Sequence, residues 1–188
     1  MSVKPIESFP VVDENDRVLY PVYSKKELHS GNRKHRSIHI FIETFGRGFV
    51  LQLKGKDSEN AGKWSSGVSG HVGYGEDYED AAIREADEEL GLEIDKKDLI
   101  RILKMDACEE TGNEFVVLFT YLMDINIESI RPKTEEIEKA LMIPLAEVMR
   151  DTVKNVNDYS PVFIKLLEKW INHELIGKSM GGWNVEQT

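Results

Sequence analysis

The chain has 188 residues, 40% hydrophobic and 31% charged, the balance of one globular domain and not of a collagen-like or disordered chain. A formal net charge of −10, from 24 Lys and Arg against 34 Asp and Glu, argues against a long nucleic acid as partner, because that binding draws on basic residues facing phosphates. No apolar run approaches the roughly 20 residues of a membrane span, the start MSVKPIESFP lacks a signal pattern, and the single Cys108 allows no internal disulfide, so a cytoplasmic protein is expected.

In chain order, FPVV and RVLYPVY flank the polar turn Asp13 to Asp16 and read as a hairpin, and Ser24 offers an N-cap to a short helical turn. From Ser37 the chain alternates, with Ile38, Ile40 and Ile42 on one face and His39 and Phe41 on the other. Phe49, Leu51 and Leu53 repeat the period after a turn at Gly46 and Gly48, which predicts a second hairpin. A polar loop, a short Trp64-centred segment and a glycine-rich loop holding Gly67, Gly70, Gly73 and Gly75 follow. Asp77 caps a predicted helix over 78–90, with Ala82, Ala86 and Leu90 on one stripe and Gly91 at its stop. Strands near 99–105 and 115–125 are expected to share a central sheet. A brief strand at Leu141 to Ile143, a short helix from Pro144 to Met149, and a helix opened by Ser160-Pro161 complete the pattern. The expected domains are an N-terminal extension over 1–34 packed on the core, a core over 35–173, and a tail over 174–188.

The acidity is local. Residues 76 to 98 hold eleven acidic and three basic residues, a net −8, and leave −2 for the rest of the chain. On a helix, Glu85, Glu88 and Glu89 fall within an arc of about 100°, so three carboxylates crowd one stripe. Like charges at this spacing cost roughly 0.2–0.5 kcal/mol per pair, a term that reverses when a divalent cation sits among them. Oxygen ligands at such density suit Mg²⁺ or Mn²⁺ and not zinc, for which the sequence offers no Cys and His cluster. A magnesium ion is usually completed by substrate phosphates, which points to a small diphosphate as the partner. Arg84, one turn before Glu88, is placed to hold a carboxylate.

Gly70, Glu76 and the run Arg84-Glu85-Ala86-Asp87-Glu88-Glu89-Leu90-Gly91-Leu92 together resemble the Nudix box, G-x5-E-x7-R-E-U-x-E-E-x-G-U with U aliphatic, at every position. The resemblance implies an α+β Nudix fold, a mixed β-sheet sandwiched between helices (α/β/α) with the N-terminal β-hairpin as an extension. It also implies hydrolysis of an X–P–O–P bond by a metal-activated water. Glu85, Glu88 and Glu89 would then bind metal with help from Glu76 and Gly70, and Arg84, Glu85 and Glu88 would carry catalysis. The general base would be Glu88 or Glu85 on the helix, or Glu114, Glu135 or Glu136 in a later loop.

Outside the box, residues 9 to 172 look like the isopentenyl-diphosphate isomerase-like branch. Isomerases use a Cys where this chain has Ser69. They hold a metal through residues matching His35, His71 and, less clearly, His29, and through a Glu-x-Glu pair represented here by Gly112 and Glu114. A hydroxyl is a poor proton donor in place of a thiol, and isomerases degrade the box that this chain keeps, so hydrolysis is expected. Isomerase-type chemistry and non-catalytic nucleotide binding are the alternatives. His35, His71 and Ser69 join the substrate-site candidates, and a homodimer through the hairpin or the last helix is the expected assembly.

Overall fold

The computed structural model describes residues 7–45, 48–58, 60–124, 127–130, 132 and 135–181. The apolar FPVV and VLYPV runs pair antiparallel as β1 (Phe9–Val12) and β2 (Val18–Val22). Ser24 then caps α1 (Lys25–Ser30) by accepting from the Glu27 N–H at 3.1 Å. The turn of this hairpin is tied down by Asp16, whose carboxylate accepts from Arg36 at 2.6 Å, from the Tyr78 hydroxyl at 2.9 Å, and from Lys104.

The alternating run becomes β3 (His35–Thr44), the strand on which the molecule is organised. It pairs antiparallel with β4 (Gly48–Lys54), and β4 in turn pairs with β5 (Trp64–Ser66). Within the expected glycine-rich loop lies a further strand, β6 (Val68–His71), antiparallel to the N-terminal half of β3. The glycines hid it, because they dilute the period-two signal that betrays a strand.

α2 (Tyr78–Leu90) starts at Asp77, whose side chain accepts from the Asp80 N–H at 2.7 Å, and stops at Gly91, as the caps predicted. β7 (Ile100–Met105) is antiparallel to β8 (Glu114–Leu122), and β8 runs parallel to β3 in a sheet of order β5-β4-β3-β8-β7. β9 (Ile137–Ile143) pairs with β4 and is longer than its apolar end suggested, because the exposed Glu138 and Lys139 break the hydrophobic run. α3 (Leu145–Lys154) and α4 (Pro161–Gly181) both run past their expected ends, α4 beyond residue 173. Residues 182–188, and the Gly46 end of the predicted turn, lie outside the described residues.

Each face of the sheet carries its own core. Ile38, Ile40 and Ile42 meet Ala82, Ala86 and Leu90 of α2, while Phe41, Phe49 and Leu51 meet Phe163, Leu166 and Trp170 of α4. Burial of each large side chain contributes about 1.5–3 kcal/mol, so the two clusters fix the α/β/α layering. No described helix is long and apolar enough to cross a membrane.

Candidate active site

The strand registers assemble the site. Parallel pairing sets His35 beside Glu114, and antiparallel pairing sets Ser37 beside His71. Ser37, His71 and Glu114 line one end of a cavity of about 440 Å³, within the range of small-molecule sites, and His35 is buried behind them. α1 closes this end from the extension, bringing Lys25 and His29 to the same cavity.

At this end one ligand atom each from His29, His35, His71 and Glu114 lies within 4.8 Å of the others. The expectation that the sequence offers no Cys and His cluster is therefore corrected, and the four positions matching the isomerase ligands are the ones that meet: His29 and His35 are 6 positions apart, and the other pairs, 36 to 85 apart, meet only through the fold. His35 and His71 stack with ring centroids 5.1 Å apart, and the His29 ring stands edge-on to both. The His35 Nδ1–H donates to the Arg33 carbonyl at 2.8 Å, which leaves Nε2 as the basic nitrogen, 3.4 Å from the Glu114 carboxylate. An imidazole fixed through one nitrogen with the other turned toward a carboxylate is the arrangement of a metal ligand. Burial and the neighbouring imidazoles push His29 down to about 4, so it is neutral and able to bind a metal. Burial alone would raise the Glu114 carboxyl, but contacts from His35 and His71 outweigh it and hold the group well below the usual carboxylate range. Gly112 has φ of +69°, so a glutamate at that position of the isomerase-like pair would be strained.

The box helix reaches the cavity at a different point. A Cβ on Gly70 would stand 2.1 Å from the Glu85 carboxyl carbon, so the missing side chain is the opening through which Glu85 enters. Glu85 is only 9% exposed. Burial and the Glu89 charge push its carboxyl up to about 7 despite Arg84. A cation fits such a carboxylate, which has hard oxygens and an incompletely compensated charge.

Arg84 uses all five of its N–H donors: two on Glu76, one each on Glu85 and Glu88, and one on the His71 carbonyl, at 2.8–2.9 Å. Glu76 also accepts from the Gly73 N–H at 2.8 Å, and so locks the loop to the helix. Glu88, with its side chain 53% exposed, is tethered by Arg84 outside the cavity lining. Glu89, 3% exposed, faces inward and accepts from Lys54 at 3.1 Å, Gln52 at 3.1 Å and the Ser69 N–H at 3.0 Å. The three box carboxylates thus share a stripe but do not converge: internal cations divide them.

Of the loop candidates, Glu114 is in the histidine cluster, and Glu136 lines the cavity and pairs with Lys25 at 3.2 Å. Glu135 is exposed and outside the cavity lining. Ser69 lines the cavity with its hydroxyl 3.3 Å from the Gln52 amide. Phe41 is core, and half-buried Trp64 carries the Lys139 ammonium over its ring. Lys54, Gln52 and Ser37 were missed by the sequence reading, since a polar residue in an apolar strand reads as its solvent side. The signal available was a lysine ending the strand that leads toward the box.

A mixed sheet between helices carries a glutamate-rich helix whose Glu85 opens beside Gly70 into a polar cavity. The NUDIX domain matches residues 33–165, and the chain belongs to that family. It is 28% identical over 166 residues to Nudix hydrolase 3 of Arabidopsis thaliana, covering 82% of this chain and 21% of that protein. It is 33% identical over 89 residues to an isopentenyl-diphosphate Delta-isomerase of Pectobacterium atrosepticum, covering 47% and 49%. The chain therefore spans half or less of these curated relatives. Among solved structures, DR0079 of Deinococcus radiodurans superposes with a TM-score of 0.74 at 18% identity, covering 87% of this chain and 98% of that one, a likeness of fold.

Proposed function

We propose that the protein is a Mg²⁺- or Mn²⁺-dependent hydrolase that cleaves the P–O–P bond of a diphosphate-linked small molecule. The observation that carries this reading is Glu85, a buried carboxylate admitted to the cavity beside Gly70 and pushed up to about 7. Glu85, Glu89 and Glu88 supply oxygen donors for the cation, with Glu76 positioning Arg84. When bound, the cation neutralises charge on phosphoryl oxygens and acidifies a water. Lys25 and Lys54 line the cavity and offer ammonium groups to the diphosphate.

The nitrogen-rich end, His29, His35, His71 and Glu114, suits Mn²⁺ or zinc better than Mg²⁺. It also favours a second reading, isomerisation of a prenyl diphosphate with Ser69 and Glu114. A panel of diphosphates with Mg²⁺ tests the first reading by release of phosphate or monophosphate. Deuterium uptake from heavy water into isopentenyl diphosphate, without hydrolysis, would establish the second. Nucleotide binding without turnover of any compound would reduce the protein to a sensor.

A further inference from the structure

The wall of the cavity formed by Ser37 and His39 of β3, by β5 and by the start of α4 stands outside the metal-donor cluster, yet it is built of polar groups. His39 is 7% exposed, and its Nδ1 lies 2.6 Å from the Ser66 hydroxyl. That hydroxyl also contacts the Val68 carbonyl at 3.0 Å. A carbonyl only accepts and a hydroxyl has one hydrogen, so Ser66 donates to Val68 and the proton of the His39 contact belongs to Nδ1. Burial pushes His39 down to about 4, so the ring is neutral and its Nε2 is an obligatory acceptor. Nε2 has no hydrogen bond among the described residues, and His39 lines the cavity.

Two positions along the same face of β3, Ser37 is 3% exposed, and its buried hydroxyl has no partner among the described residues. It lines the same cavity. Ser65 and Ser160, both buried, contribute hydroxyls 3.3 Å apart that can donate or accept. Among the residues lining the cavity, Val162 is the sole aliphatic side chain. A prenyl chain against this wall would strip water from an acceptor and an unpaired hydroxyl and return nothing. A polyol donates to the imidazole and exchanges hydrogen bonds with the serines.

We propose that Ser37, His39, Ser65 and Ser160 form a hydroxyl-binding subsite, and that the group carried on the diphosphate is a ribose or other sugar. The proposal rests on the diphosphate-hydrolase reading for its placement of the phosphates, but its test is binding. Calorimetry of the full chain with Mg²⁺ would use methylene-bridged analogues of ADP-ribose and of isopentenyl diphosphate, which cannot be hydrolysed, with inorganic pyrophosphate as the control. The sugar analogue is expected to bind at least 30-fold more tightly than the prenyl one. Ser37→Ala and Ser65→Ala should each weaken it about 5-fold, and His39→Phe more than 10-fold, while pyrophosphate binding, which reports an intact fold, stays unchanged. Equal or tighter prenyl binding, no sugar binding, or loss of no more than 2-fold in all three variants would overturn the subsite. Binding of the sugar analogue with no turnover of ADP-ribose itself would keep it and sink the hydrolase reading. Hydrolysis of isopentenyl diphosphate itself, with no preference for the sugar analogue in binding, would do the reverse.

Discussion

The two acidic ends of the cavity solve the same electrostatic problem differently. At the histidine end, four donors from α1, β3, β6 and β8 already stand within 4.8 Å of one another, with three neutral-capable imidazoles diluting one carboxylate. At the box end, four carboxylates are held by protein cations, Glu76 of the loop and Glu85 and Glu88 of the helix by Arg84, and Glu89 of the helix by Lys54. The first end is preassembled for a cation. The second is balanced internally, and a cation there must take carboxylates from their present partners. A resident, tightly held metal is expected at the histidines, and a weaker one that arrives with the diphosphate at the box.

The largest effect expected comes from breaking the box end. Glu85→Gln should lower Mg²⁺-dependent hydrolysis by about 10³-fold, as should Glu88→Gln if Arg84 releases it on metal entry. Metal content at the histidines, read by elemental analysis of the purified protein, should be unchanged in both. A loss there as well would show that the two ends are one site. Next comes the histidine end: His71→Ala should cut affinity for Mn²⁺ or zinc about 100-fold by equilibrium dialysis. The rise in melting temperature with millimolar Mg²⁺ should survive. If that rise vanishes, Mg²⁺ was reporting on the histidines.

How much of this could be read from the chain follows from which signals are local. The box, the caps at Asp77 and Gly91 and the stripe of α2 lie within one helix, so spacing alone placed them. The split of the box was illegible, since Lys54, which holds Glu89, is 35 positions away and belongs to another strand. The histidine end is non-local too. His35 and Glu114 are neighbours through a parallel register, and His29 arrives on an extension whose docking depends on Asp16. β6 was hidden by the glycines in and around it, of which Gly70 is bare where Glu85 passes.

That extension makes a smaller test. Asp16 faces Arg36, Lys104 and Tyr78 in a buried setting, and Asp16→Ala should cost about 2–3 kcal/mol in urea denaturation by leaving the cations unpaired. It should also loosen α1 and weaken the histidine metal several-fold without touching Mg²⁺ activation. Burial raises the Asp16 carboxyl, but Lys104, Arg36 and Tyr78 prevail and hold it below its usual 3.8. A carboxylate whose folded pKa is depressed stabilises the fold above its unfolded value. That contribution is lost as pH falls below about 3.8, so the cost of the substitution should shrink in acid.

The smallest expected change in metal affinity tests the claim that protein cations stand in for metal at the box. Lys54 and Glu89 are both buried, so Lys54→Met removes the one ammonium bonded to Glu89 among the described residues and leaves it with the Gln52 amide and the Ser69 N–H. An unpaired buried carboxylate costs roughly 3 kcal/mol, and the metal-free variant should melt correspondingly lower. Added Mg²⁺ no longer has to displace Lys54, so its apparent affinity should rise a few-fold, and it should recover part of the lost melting temperature. Thermal melts across a Mg²⁺ titration compare the two slopes directly. A variant whose melting temperature responds to Mg²⁺ no more than the parent's would mean that Glu89 never binds metal. Lys54 and Glu89 would then be a structural pair beneath the site, leaving Glu85 and Glu88 to hold the cation between them.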